Sequence, residues 1–369
     1  MNATTDLARA DLAAASSLPS FDSLFGLPGD VPHERVLLTS DPASGLKTII
    51  AVHSTARGPA FGGCRLWSYA DDASALTDAL RLAQGMSLKN ALADLPFGGG
   101  KAVILKPAGD FDRGELFASF GRAVQSLHGS YITAEDVGSS TADMRRVQQE
   151  TRYVSGIPRD GGFGGDPSPY TALGVFVAIK TGAQLRLRRS SLDGLRVAIQ
   201  GLGAVGMHLA ALLHAAGAKL IVADVMPQRV TEACDRFGAQ ALASSEILAA
   251  EADVLAPCAL GAALNATTVR HVRARMVAGA ANNQLASLGD GDVLHEQGVT
   301  LLPDFLVNAG GIISVAREYL GEGAKAAVTA EVSRIGERVA ELLERSAMQN
   351  CPPARVAEAW AREKLARAA

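Results

Sequence analysis

The chain is poor in cysteine. It has 369 residues and only Cys64, Cys234, Cys258 and Cys351, none of them in a CxxC pair. That spacing excludes a disulfide framework and argues against structural zinc, so no metal site is expected. No apolar run approaches the roughly 18 residues that a membrane helix needs. Charge of one sign is also lacking: 35 basic against 38 acidic residues give a net charge of −3. There is accordingly no bulk electrostatic case for nucleic acid or for an anionic membrane. The opening stretch MNATTDLARADLAAASSLPS contains Asp6, Arg9 and Asp11 and has no apolar core of the kind a signal peptide carries. Residues 1–21 are therefore expected to be a flexible extension, and the setting a reduced, cytoplasmic one. Internal repeats and low-complexity blocks are absent as well.

What is present is an ordinary soluble composition, 48% hydrophobic and 20% charged, on a chain long enough for two domains. Two strand-like runs flank the turn signal Asp41-Pro42-Ala43-Ser44-Gly45, which predicts a hairpin over 35–54. Residues 71–95 read as a helix, with Leu76, Leu80 and Ala83 at helical spacing and Asp71 and Asp72 at its start. KAVIL and SYITA are short strands, joined by a crossover helix in DFDRGELFASFGRAVQSL. Six glycines and three prolines in GIPRDGGFGGDPSPYTALG make 156–174 the best linker and hinge. Beyond it, apolar runs at 252–260, 274–282 and 298–305 predict a parallel α/β sheet, and 327–347 and 354–368 read as amphipathic helices.

The run Gly201-Leu202-Gly203-Ala204-Val205-Gly206 matches G-x-G-x-x-G between an apolar strand and an alanine-rich helix. Gly201 permits a tight turn, Gly203 lets a pyrophosphate approach, and Gly206 allows close helix–strand packing, with the helix N-terminus facing the phosphates. Asp224, 23 residues after Gly201, ends the next strand, where a carboxylate accepts ribose hydroxyls and repels a 2′-phosphate. NAD is expected over NADP, although Arg229 lies close by in sequence.

The stretch LPFGGGKAVIL allows two readings: a flexible turn before a strand with a solvated lysine, or backbone passing close to a ligand at which Lys101 is aimed. Met86 and Lys89 share a helix face, and Asp136 follows a strand. Two lysines and a carboxylate near a dinucleotide suggest that one ammonium holds a substrate carboxylate. The other, crowded and desolvated, would serve as a base.

The segments GPAFGGCR, GMSLKNALADLPFGGGKAVI, YITAEDVG, GLGAVG, APCALGA, AGAANNQL and PDFLVNAGGIISV together resemble the glutamate/leucine/phenylalanine/valine dehydrogenases, over nearly the whole chain from about residue 35. The resemblance is nearest to the leucine and phenylalanine branches. It implies an α/β fold of two domains, an N-terminal substrate and oligomerisation domain over 22–156 and a C-terminal Rossmann-type NAD-binding domain over 157–336, with helices in 337–369 returning to the first. It implies a homo-oligomer that interconverts an apolar L-amino acid with its 2-oxo acid and ammonia.

In that resemblance Lys101 is the catalytic lysine and Asp136 the catalytic aspartate, while Lys89 grips the substrate carboxylate and the glycine turn lets the backbone close around the substrate. Gly62, Met86, Asn283 and Ser155 fall at substrate-binding positions. Gly201, Gly203, Ala204, Val205, Gly206, Asp224, Thr171, Cys258, Ala259 and Asn282 fall at cofactor-binding ones. Phe61, Ile312 and Val315 stand where the substrate side chain is selected. The glutamate-specific members carry a lysine and a serine at the first and last of these, so glutamate is expected to be a poor substrate here. Branched aliphatic substrates are expected ahead of phenylalanine, with Phe61 shortening the pocket. The alternatives are a phenylalanine dehydrogenase of the same family and an NAD-binding regulatory protein without turnover.

Overall fold

The computed structural model describes residues 33–158, 164–259 and 261–368. The expected extension 1–21 lies outside them. The first unit is a five-stranded sheet built from β1 (Arg35–Asp41), β2 (Leu46–Ser54), β3 (Ala60–Trp67), β4 (Gly98–Leu105) and β5 (Tyr131–Glu135), in the order β1-β2-β4-β3-β5. The hairpin β1–β2 is antiparallel, as is β2–β4, whereas β3 runs parallel to both β4 and β5. Parallel neighbours need crossovers. Helix α1 (Asp72–Leu92) connects β3 to β4, with the Asp71 carboxylate capping its start at 2.6 Å from the Ser74 N–H. Helix α2 (Arg113–Gln125) connects β4 to β5, and α3 (Thr141–Gln148) follows behind a Ser140–Asp143 capping box.

The expected glycine turn is not a turn. Gly98, Gly99 and Gly100 are the first three residues of β4, a strand paired on both sides. Their reason is contact distance. A Cβ on Gly99 would lie 2.1 Å from the Ser87 nitrogen in α1, one on Gly98 1.9 Å from the Ser54 carbonyl oxygen, and one on Gly100 2.8 Å from the Tyr131 ring. Helix α1 therefore rests on bare backbone, and Asn90 ties it there by donating from Nδ2 to the Gly98 carbonyl at 2.5 Å. Lys89 on the helix and Lys101 on the strand are brought together by this contact.

The second unit is a six-stranded sheet in the order β11-β10-β9-β6-β7-β8, every pairing parallel. Its strands are β6 (Arg196–Gln200), β7 (Lys219–Ala223), β8 (Gln240–Ala241), β9 (Val254–Pro257), β10 (Met276–Val277) and β11 (Thr300–Leu301). The order reverses direction between β6 and β9, the switch point at which open α/β sheets bind ligands. Helices α4 (Ser168–Arg186), α5 (Ala204–Ala215), α6 (Pro227–Phe237), α7 (Leu288–Glu296), α8 (Asp304–Val307) and α9 (Gly310–Tyr319) pack around it. The linker expected over 156–174 is shorter than the composition indicated, because its residues from Ser168 onward already form α4, with Pro169 in its first turn. The single helix expected at 327–347 is divided into α10 (Lys325–Ser333) and α11 (Ile335–Gln349), where the Arg334 N–H bonds the Glu331 carbonyl three residues back.

The last helix, α12 (Pro353–Ala366), lies against α1. Lys364 pairs with Asp94, and its carbonyl accepts Nη1 of Arg57 at 3.3 Å. One apolar core runs from Phe61, Met86 and Leu92 through Ile179 and Leu306 to Leu209 and Val222, so the two units share buried surface.

Candidate active site

A cavity of about 800 Å³ lies between the two units, at the carboxyl ends of β3, β5, β6 and β9. Lys89, Lys101 and Asp136 line one side and Gly203, Ala204 and Val205 the other. Lys101 is 3% exposed. Its Nζ sits 2.8 Å from Asp136 Oδ2, and Arg65 Nε donates to the same oxygen at 3.3 Å. No donor among the described residues reaches Oδ1, which is left for the cavity. Gly63 makes this approach possible, since a Cβ there would stand 2.8 Å from that of Asp136.

Burial alone would raise the Asp136 carboxyl, but the adjacent Lys101 and Arg65 cations hold it down at about 2. Lys101 is lowered from the usual lysine value, chiefly by burial; Asp136 pulls it back up and Arg65 pushes it further down. Lys89 is lowered to about 8, again chiefly by burial, with Asp304 and Asp136 opposing and Lys101 adding to the shift. Asp304 moves the other way, raised by burial against the pull of Lys89. Burial thus dominates on both sides of the Lys89–Asp304 pair.

Lys89 Nζ donates to Asn282 Oδ1 at 3.0 Å, and Asn308 Nδ2 donates to the same oxygen at 3.1 Å. The contact joins α1 to the loop after β10, so the cavity is bridged from one unit to the other.

The glycine-rich turn fits a dinucleotide. Gly201 has φ +94°, Gly203 has open space where a Cβ would be, and a Cβ on Gly206 would lie 2.0 Å from the Gly201 carbonyl oxygen. Helix α5 starts at Ala204 with no side chain capping it, so its first N–H groups point to a ligand position at the switch point. Cys258 and Ala259 pack against Gly201, and both line the cavity, as does Thr171.

Residues 33–153 match the model of the Glu/Leu/Phe/Val dehydrogenase dimerisation domain, and residues 161–226 and 223–368 match that of the Glutamate/Leucine/Phenylalanine/Valine dehydrogenases. The chain belongs to the Glu/Leu/Phe/Val dehydrogenase family. It is an amino acid dehydrogenase, an oxidoreductase acting on CH–NH2 donors, in a family of pyridine-nucleotide enzymes. It is 44% identical to the leucine dehydrogenase of Bacillus subtilis over 91% of this chain and 92% of that one. It is 43% identical to the valine dehydrogenase of Streptomyces coelicolor over 91% and 93%. The crystal structure of L-tryptophan dehydrogenase from Nostoc punctiforme superposes with a TM-score of 0.75 at 37% identity, covering 91% of this chain and 96% of that one. Among the described residues no helix is long and apolar enough to cross a membrane, and no group of three or more His, Cys, Asp and Glu could hold a metal ion.

Several residues of this dehydrogenase sit elsewhere than the sequence indicated. Phe61 does not line the cavity: it shares a face of β3 with Gly63 and Arg65, which do, but lies nearer the start of the strand, where it is fully buried edge-on to Phe97 at 5.0 Å and to Tyr319 at 6.0 Å. Gly62 is a packing residue, whose Cβ would meet the Gly100 carbonyl oxygen at 1.8 Å. Ser155 is buried under the site, its hydroxyl donating to the Val315 carbonyl at 2.7 Å. Asn283 lines the cavity with φ +49° and its N–H on Asp304 Oδ2 at 2.9 Å, while Asn282 is the one that meets Lys89. Asp224 accepts the Leu202 N–H at 2.6 Å and the Met226 N–H at 2.8 Å, with Arg229 at 3.7 Å, so part of its acceptor capacity shapes the turn itself. Ile312, Val315 and Met86 line the cavity.

Four residues escaped notice in the sequence: Arg65, Asp304, Asn308 and Glu318. Arg65 ends the GPAFGGCR segment, and Asp304 lies within the strand-like run at 298–305, positions that carried a signal. The Glu318 carboxylate accepts the N–H groups of Gly156 at 3.2 Å and Ile157 at 2.9 Å.

Proposed function

We propose that this chain catalyses the NAD-dependent oxidative deamination of an apolar L-amino acid, branched aliphatic side chains preferred, to the 2-oxo acid and ammonia, and the reverse reaction. The observation that carries the proposal is the pair of buried lysines around one ionised carboxylate whose free oxygen faces a cavity, opposite an uncapped helix at a glycine turn. Bound nicotinamide would supply the acceptor for the hydride on the substrate Cα. Gly201, Gly203, Ala204, Val205 and Gly206 would hold its diphosphate and Asp224 its adenosine ribose, with Thr171, Cys258 and Ala259 along its path.

Lys89 takes the substrate carboxylate, with Asn282 and Asn308 fixing the direction of its ammonium. Asp136 Oδ1 receives a proton from the substrate amino group, leaving a neutral amine that can become an iminium as hydride departs. Neutral Lys101 removes a proton from the water that adds to the iminium carbon. Lys101 then releases that proton to solvent and takes the hydroxyl proton of the carbinolamine, while Asp136 returns its proton to nitrogen; the C–N bond breaks, the carbonyl forms and ammonia leaves. Base and acid differ here because burial lowers the lysine, while Arg65, a cation throughout, favours the ionised carboxylate.

Ile312 and Val315 offer no partner to a second carboxylate, and burying one unpaired costs several kcal/mol. A larger apolar substrate is the second reading, supported by the position of Phe61 outside the cavity. Each protein amino acid is assayed for NADH formation, and for NADPH formation with NADP. The expected outcome is kcat/KM highest for leucine, valine or isoleucine, glutamate near background, and NAD favoured by at least about tenfold. No turnover with any amino acid overturns the proposal. Phenylalanine or tryptophan ahead of all three branched substrates leaves the second reading.

A further inference from the structure

Arg65 is largely but not fully buried, with a side chain 12% exposed, and its guanidinium is forked between two carboxylates. Nε reaches Asp136 Oδ2 at 3.3 Å and Nη1 reaches Asp78 Oδ2 at 2.7 Å. Tyr69 donates its hydroxyl to that same Asp78 oxygen at 2.5 Å. The three partners stand on different parts of the fold: Arg65 near the end of β3, Asp78 in the second turn of α1, and Asp136 just after β5. A planar guanidinium with donors in fixed directions suits such a bridge, which the single point of an ammonium cannot span.

The arrangement decides which oxygen of Asp136 is available. Oδ2 is occupied twice, by Arg65 and by Lys101, and Oδ1 is left for the cavity. Asp78 fixes Arg65 from behind, so the carboxylate plane of Asp136 is set from outside the cavity as well as by Lys101. Arg65 also competes with Lys101 for the same oxygen, and a lysine that shares its counter-ion gives up its proton more readily. The charged and titratable groups around this centre are Lys89 and Asp78 on α1, Tyr69 before it, Cys64 and Arg65 on β3, Lys101 on β4, Asp136 after β5 and Asp304 on α8.

We infer that Arg65, held by Asp78, is a positioning residue of the reaction: it turns Asp136 Oδ1 to the substrate amino group and, by sharing Oδ2, loosens the hold of Asp136 on Lys101. The inference rests on the deamination reading above. Its failure is distinguishable, because that reading is tested on the unaltered enzyme.

The test is the pH profile of kcat/KM for the preferred amino acid, measured with saturating cofactor on the full chain. Its acid limb reports deprotonation of the base. Arg65→Met should move that limb up by about one pH unit and lower kcat at neutral pH by about tenfold, since one buried neighbouring cation is removed. Arg65→Lys should return the limb most of the way but recover kcat only in part, because an ammonium cannot span both carboxylates. Asp78→Asn, at a more exposed position, removes an anion that supports the Lys101 ammonium. It should move the limb down, opposite to Arg65→Met, and it keeps the question open to refutation if Arg65→Met fails to fold. A limb that stays in place in Arg65→Met, or that moves the same way in Asp78→Asn, overturns the inference. So does an equal shift in the Met and Lys variants.

Discussion

Gly99→Ala is the sharpest test of how the two lysines are brought together. The added methyl carbon would fall 2.1 Å from the Ser87 nitrogen and 2.5 Å from its Cα, both backbone atoms of α1 that no rotamer change can move away. An ordinary contact needs about 3.4 Å, so helix and strand must part by about 1.3 Å (3.4 − 2.1). Lys89 is two residues beyond Ser87, and Lys101 two beyond Gly99 on the same face of β4, so the displacement falls directly on their spacing. A misplacement of about 1 Å typically costs about 100-fold in rate. Overpacking of this kind costs about 1–3 kcal/mol of stability, partly offset by the lower entropy of an unfolded alanine chain. The assay is kcat/KM by NADH formation alongside thermal unfolding. Gly289→Ala is the control: its Cβ would meet only Ser287 Oγ at 3.5 Å, and it should be neutral or slightly stabilising. A Gly99→Ala enzyme with activity within threefold of wild type and an unchanged melting temperature would refute the reasoning.

Lys101→Ala should lower kcat by about two to four decades while cofactor binding, followed by fluorescence titration, survives; near-normal kcat would return Lys101 to a structural role. Lys89→Ala should act mainly on KM, where a charge-assisted contact of about 1.5–3 kcal/mol corresponds to roughly 10–150-fold, and an unmoved KM would remove it from the substrate carboxylate. His53 is 5% exposed, with Nδ1 2.7 Å from Ser87 Oγ. Burial first, then His33 and Arg362, lower it to about 4. Its folded value lies below its unfolded one, so the unfolded chain binds more protons between about 6.5 and 4 and stability falls as pH drops through that window. Replacing it, as in His53→Gln, should flatten that part of the stability curve by about 2–3 kcal/mol in urea unfolding at paired pH values. An identical slope in both proteins would exclude His53 as its source.

The hairpin, α1 and the glycine fingerprint were legible in the sequence because each is encoded locally, by a turn signal, a cap with helical spacing, or glycines at fixed offsets. Helix α1 begins at Asp72 behind Asp71, where the sequence put its start. The glycine run after Phe97 was misread because glycine has low strand propensity on its own, and only the approach of α1 makes bare backbone the better choice. Phe61 was misplaced for a related reason: it stands on the face of β3 that carries Gly63 and Arg65 to the cavity, and only the packing of Phe97 and the distant Tyr319 over it closes that end of the strand. Arg65 and Asp304 carry their meaning in contacts between segments far apart in the chain, 71 residues between Arg65 and Asp136, which no local pattern displays. The Lys89–Asn282 contact, across 193 residues, is of the same kind.

The bonds from α9 to the segment after α3 have a consequence for redesign. The Val315 carbonyl holds Ser155, and Glu318, one turn further on, holds Gly156 and Ile157. The side chain that shapes the apolar wall therefore sits on the same rigid rod as the anchors of the segment by which the chain leaves the first unit. Enlarging the pocket through α9 is also a load on that crossing. Variants selected for bulkier substrates should drift in turnover rate together with preference, and recovering speed will call for changes around residues 155–157 rather than in the pocket itself.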